Sequence, residues 1–110
     1  VTKMVVRVDI THTWDSDVDI NLLAPNGTNI VLSDDNGSSS DNYTNTMFSS
    51  LAANLITAGV APFSGTFAPE GMMSSLFSVA QGNWTLIVAD DTGSDQGTLN
   101  AYSLVMCVQP

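Results

Sequence analysis

Residues 18–33 read "VDINLLAPNGTNIVLS", and this stretch decides the fold. Val18, Ile20 and Leu22 alternate with Asp19 and Asn21, the period of two expected of a strand with one buried face. Pro25-Asn26-Gly27 then breaks the run, because Asn-Gly readily supplies the positive φ of a tight turn. "NIVLS" resumes the extended pattern. Upstream, "KMVVRVDITHT" (3–13) puts Met4, Val6, Val8 and Ile10 on one side and Val5, Arg7, Asp9 and Thr11 on the other. The short connections predict a three-stranded antiparallel meander.

Downstream, residues 33–50 ("SDDNGSSSDNYTNTMFSS") are polar and lack a helical period. They are expected to form a long loop, of a length that is usually functional or organised by a metal. "LAANLITAG" (51–59) suits a short helical turn, ended by Gly59 and Pro62. "GTFAP" (65–69) suits a short strand, with Pro69-Glu70-Gly71 as a turn. Two strands close the chain, in "NWTLIVAD" (83–90) and "TLNAYSLVMCV" (98–108), joined by a Gly- and Asp-rich turn. No helix of real length appears. Short strands separated by turn chemistry predict an all-β sandwich or barrel.

The 110 residues suit one domain, and 44% hydrophobic residues can supply its core. A chain of this size buries roughly two thirds of its extended surface, enough to fold without a staple. No apolar run approaches the ~20 residues needed to span a bilayer. The absence of an initiator Met and of a signal peptide reads as a domain cut from a longer chain. The single Cys107 cannot form an intrachain disulfide, and its apolar strand-like context predicts a buried, inert thiol.

Eleven acidic residues face only Lys3 and Arg7, a formal net charge of -9. Nucleic acid and membranes are therefore not expected partners, since both anionic surfaces are bound through clusters of Lys and Arg. Divalent cations are attracted. The acids are concentrated in 15–19, 34–41 and 90–95 rather than spread evenly.

Asp15, Asp17 and Asp19 have the spacing of the first ligands of an EF-hand loop, but the rest of that loop is missing. Counted from Asp15, the sixth residue is Ile20 where glycine is required, and the twelfth is Asn26 rather than Glu. Topology offers another arrangement. In a meander, the turn at 14–17 and the loop leaving the third strand lie at the same end of the sheet. Asp15, Asp17 and Asp19 should then approach Asp34, Asp35 and Asp41. Like charges ~5 Å apart at an effective dielectric near 20 repel by roughly 3 kcal/mol, which a cation would offset. Calcium, with six to eight oxygen ligands in adaptable geometry, is the expected ion; solvated acidic loops are the alternative. Asp90, Asp91 and Asp95 are a weaker second group.

Catalysis lacks its parts. A Ser/His/Asp triad needs a histidine, and only His12 is present, at a strand end that favours a hydrogen-bonded structural role. There is no Gly-x-Ser-x-Gly elbow and no His-Glu-x-x-His zinc motif. If the fold binds a ligand through aromatic side chains, Trp14 and Tyr43 are the candidates. Trp14 could equally lid the end of the sandwich. Trp84, Phe63 and Phe67 read as core.

Two segments carry a resemblance. Asp17, Leu23, Pro25, Gly27 and Thr28 in "DVDINLLAPNGT", then Gly82, Trp84, Leu86, Gly97, Thr98 and Leu99 in "GNWTLIVADDTGSDQGTLNAYSLVM", stand in one order and register. Together they resemble the P domain of proprotein convertases, and the middle of the chain resembles its bacterial branch. The resemblance implies a jelly-roll β-sandwich of the galactose-binding-like kind, without catalytic residues of its own. It implies an accessory domain of a secreted subtilisin-like serine protease, partnered by the catalytic domain of the same chain and in some cases by a protein substrate. An extracellular attachment module for protein or carbohydrate is the alternative function.

Overall fold

The computed structural model describes residues 3–37, 40–78, 81–90 and 97–107. Seven strands run in chain order: β1 (Lys3–His12), β2 (Val18–Leu23), β3 (Asn29–Asp34), β4 (Tyr43–Ser49), β5 (Gly65–Phe67), β6 (Thr85–Asp90) and β7 (Gly97–Cys107). They form two sheets, one ordered β5-β4-β1-β7 and the other β3-β2-β6. All described pairings between strands are antiparallel except β4–β5. Helical geometry among the described residues is confined to three short 3₁₀ turns. The expected all-β sandwich is the observed fold. No helix of the described residues is long and apolar enough to cross a membrane.

Alternation built the two faces as the sequence indicated. Met4, Val6, Val8 and Ile10 from β1 and Val18, Ile20 and Leu22 from β2 are buried between the sheets. Full burial of such a side chain contributes about 1.5–3 kcal/mol. Ile56, Met73 and Leu76, on 3₁₀ turns, complete the core. Phe63 is buried and stacks on Tyr43 at 4.9 Å between ring centroids, with Phe67 edge-on to it at 6.1 Å. Trp84 is half-buried and packs against the core, as do Leu86 and Val88.

The expected meander is not what forms. β1 pairs with β4 and β7, whereas β2 pairs with β3 and β6. Only β2–β3 is the predicted hairpin. A sandwich needs its two apolar rows face to face, and the connection after His12 carries the chain from one sheet to the other through a 3₁₀ turn at Asp15–Asp17.

The long polar loop is also shorter than expected, because Tyr43–Ser49 is strand β4, an inner strand of its sheet. A bulge hides its period. Val8 is opposite Thr46 and Ile10 is opposite Tyr43, so Thr44 and Asn45 together face Asp9. Asn45 takes φ 48° there. The buried Thr46 hydroxyl donates to the Pro62 carbonyl at 3.4 Å.

Cys107 is exposed rather than buried. Its neighbour Met106 pairs with the fully buried Met4, so Cys107 falls on the outer side of edge strand β7. Asp91 and Asp95, between β6 and β7, lie outside the described residues.

Candidate metal centre

Crossing between the sheets brings three segments to one end of the sandwich: the β1–β2 connection, residues 34–37 and 40–42 after β3, and the Pro69-Glu70-Gly71 turn. His12 anchors the first. Its ring is buried, with Nδ1 accepting from the Trp14 amide at 3.0 Å and Nε2 lying 2.7 Å from Asp90 Oδ2. Nε2 is therefore the nitrogen that donates to Asp90. Both ring nitrogens are engaged, in the structural role expected of this residue. Gly97 makes the close approach possible, since a Cβ there would come within 2.5 Å of His12 Cδ2.

Asp15 follows. Its amide donates to the Ser40 carbonyl at 2.9 Å, tying the turn to the loop. Its side chain is 0% exposed, and neither carboxylate oxygen accepts a hydrogen bond of good geometry. Burial pushes this carboxyl up to about 7; a weak hydrogen bond from the Asn42 amide and the nearby His12 work against that rise, and Asp41 adds to it. A buried carboxylate so weakly paired is costly, by several kcal/mol even after relaxation, so a proton or a cation is called for. Gly37 covers the group. Its φ is +97°, and a Cβ there would sit 2.7 Å from Asp15 Cβ and 3.3 Å from Oδ2.

A second acidic group forms across β2 and β3. Asp19 on β2 is directly opposite Asp34 on β3, and Asp35 turns back at φ 54° with its amide donating to the Val18 carbonyl at 3.4 Å. One ligand oxygen from each of Asp19, Asp34 and Asp35 lies within 4.8 Å of the other two. Oxygens on opposite sides of a calcium ion, at 2.3–2.6 Å each, are about 5 Å apart, so the spacing fits one ion. The all-oxygen donor set suits a hard cation and not zinc.

Glu70 is the residue that sequence reading missed. Its carboxylate accepts from the Asp34 amide and from Asn36 Nδ2, the latter at 3.2 Å. The same Asn36 amide reaches Ser33 Oγ at 2.7 Å, and Ser33 Oγ lies 3.3 Å from the Tyr43 hydroxyl. Nothing in the local sequence around Glu70 announces this, since its partners are more than thirty residues away.

The expected site residues thus divide. Asp19, Asp34 and Asp35 converge; Asp15 is buried in the β1–β2 connection and is not one of them; Asp41 is exposed but near enough to raise the Asp15 pKa. Asp17 is partly exposed in the 3₁₀ turn and is not one of the three converging carboxylates. Tyr43 is corrected outright as a surface ligand contact. It is 0% exposed, and burial pushes its hydroxyl up to about 12, so it stays neutral beneath the acids. Trp14 is 45% exposed, so part of its ring is accessible at the surface.

Comparison with known proteins fits this framework. No curated protein and no solved structure matches the chain significantly. The family model of the proprotein convertase P-domain matches residues 1–106, nearly the whole chain. The sandwich, and the two framing segments that make up β2 and its turn and then β6 and β7, therefore have one origin: the chain belongs to the proprotein convertase P-domain family.

Proposed function

We propose that this chain is a non-catalytic accessory domain of a secreted, bacterial subtilisin-like serine protease, supporting the folding and stability of the catalytic domain, with calcium as its own structural ion. The family match over residues 1–106 is the observation that carries the accessory role. The calcium component is supported by the converging Asp19, Asp34 and Asp35 and by the weakly paired carboxylate of Asp15. The partner is the catalytic domain in the same polypeptide. Deleting this domain from the parent protease should lower the yield of folded enzyme and the temperature at which activity is lost. An enzyme that folds and resists heat equally well without it refutes the accessory role.

Attachment to an extracellular protein or carbohydrate is the second reading. It is favoured by one observation, the exposed Trp14 beside the acidic end. The same deletion separates the two, because an attachment module would leave stability unchanged and abolish retention on an insoluble substrate.

A further inference from the structure

We infer that the outer edge of β7 is a self-association surface, to which a second copy of this chain adds its own β7, antiparallel and centred on Tyr102. The inference goes beyond the accessory role and stands apart from the calcium reading. β7 is the longest described strand, at 11 residues, and it ends its sheet. Among the described residues no strand pairs with its outer edge. Its inward row is also left unfinished. Val8, Val6 and Met4 on β1 are buried, whereas their partners Leu104 and Met106 are only partly covered and Tyr102 is 64% exposed. The opposite side of the sandwich is closed by the chain itself. Beyond β5 the Glu70 and Gly71 amides donate to the Leu32 and Val31 carbonyls of β3 at 3.2 and 2.7 Å, and Met73 and Leu76 then enter the core.

Soluble proteins protect a free edge with charge, proline or a very short strand. β7 has none of these, since "GTLNAYSLVMC" (97–107) holds no charged residue and no proline. The charges beside it select the occupant. Lys3 and Arg7, the only basic residues of the protein, both lie on β1, next to β7, opposite Cys107 and Ser103. Asp9 lies opposite Ala101, and Asp90 meets His12 beside Gly97, so the other half of the edge is acidic. A two-fold antiparallel pairing sets the basic half of each copy against the acidic half of the other, and its contact strand brings no like charges together. When 97–107 overlaps its copy completely, Ser103 faces Ala101 of the second copy. Arg7 and Asp9 of the second copy then share one transverse row, with only those two small residues between them. Tyr102, the most exposed apolar residue of β7, falls on the axis and covers its own counterpart. Such a patch is self-complementary, as a two-fold interface requires.

Sedimentation equilibrium of the 110-residue chain, from low to several hundred micromolar, should show the mass rising from 11.6 kDa toward twice that value. Tyr102→Lys puts two ammonium groups near the axis and should weaken association by about a hundredfold. The dilute variant should unfold at the wild-type temperature, because the side chain it replaces is exposed. Register is read by cross-linking in a Cys107→Ser background. Directly opposite residues of an antiparallel pair have Cα atoms about 4.5–5.5 Å apart, within the range of a disulfide. Tyr102→Cys should therefore oxidise to a covalent dimer, whereas Val105→Cys, placed opposite Leu99 of the second copy, should not. A wild-type chain that stays monomeric throughout overturns the inference, as does a Tyr102→Lys chain that dimerises with wild-type affinity. A monomeric chain whose parent protease is destabilised by Tyr102→Lys would assign this edge to the catalytic domain and exclude the second copy.

Discussion

Asp15 shows how one position can be legible in type and illegible in state. Its spacing from Asp17 and Asp19 marks it as a ligand candidate, but nothing local says that it is fully buried while Asp17 stays at the surface. Burial has a measurable consequence in the metal-free chain. The carboxyl ordinarily titrates near 3.8 and is raised to about 7 in the fold, so the folded state holds the proton more tightly than the unfolded state. That contribution to stability is complete below about 3.8 and lost as pH rises through about 7. In chelator, the urea midpoint should therefore fall between pH 4 and pH 8, and Asp15→Asn should flatten the fall. A wild-type midpoint that rises across this window refutes the assignment. His12 was readable as structural because a lone histidine offers no catalytic partner set, yet its partner Asp90 lies 78 residues away and only folding reveals it.

At the scale of elements, β1, β2 and β3 were legible because strict alternation and an Asn-Gly turn are local signals. β4 was not, because its bulge at Thr44 and Asn45 breaks the period and Thr46 and Ser49 are polar residues buried by tertiary contacts. The loop before it is held by left-handed residues: Asp35, Gly37 and Asn42 all have positive φ. Asp and Asn tolerate this region, whereas at Gly37 a side chain would also strike Asp15. Gly37→Ala should cost about 1–2 kcal/mol from backbone strain alone, with further loss if Asp15 cannot move aside. Equilibrium unfolding against the wild type measures it, and an unchanged stability would show that the loop is not fitted to the carboxylate.

At the scale of the whole molecule, the β2–β3 pairing brings Asp19, Asp34 and Asp35 together on a chain whose net charge is -9. An ion that binds the folded state alone adds about 2.7 kcal/mol at a hundredfold excess over its dissociation constant. For a domain of this size that is a shift of about 10 °C in melting temperature, so chelation should lower the transition by that order. Melting curves that superimpose with and without chelator would remove calcium from the account. The sequence by itself determined the β class, the faces of the first strands, the family motifs and the identity of the acidic residues, because periodicity, turn chemistry and charge are carried by neighbours along the chain. Only the tertiary structure decided that β1 and β2 belong to opposite sheets, that Glu70 joins the acidic end, and that Asp15 and Tyr43 are buried while Cys107 is exposed. Those outcomes depend on which strands pair across dozens of residues, and pairing is settled by the burial of the whole apolar set rather than by any local stretch.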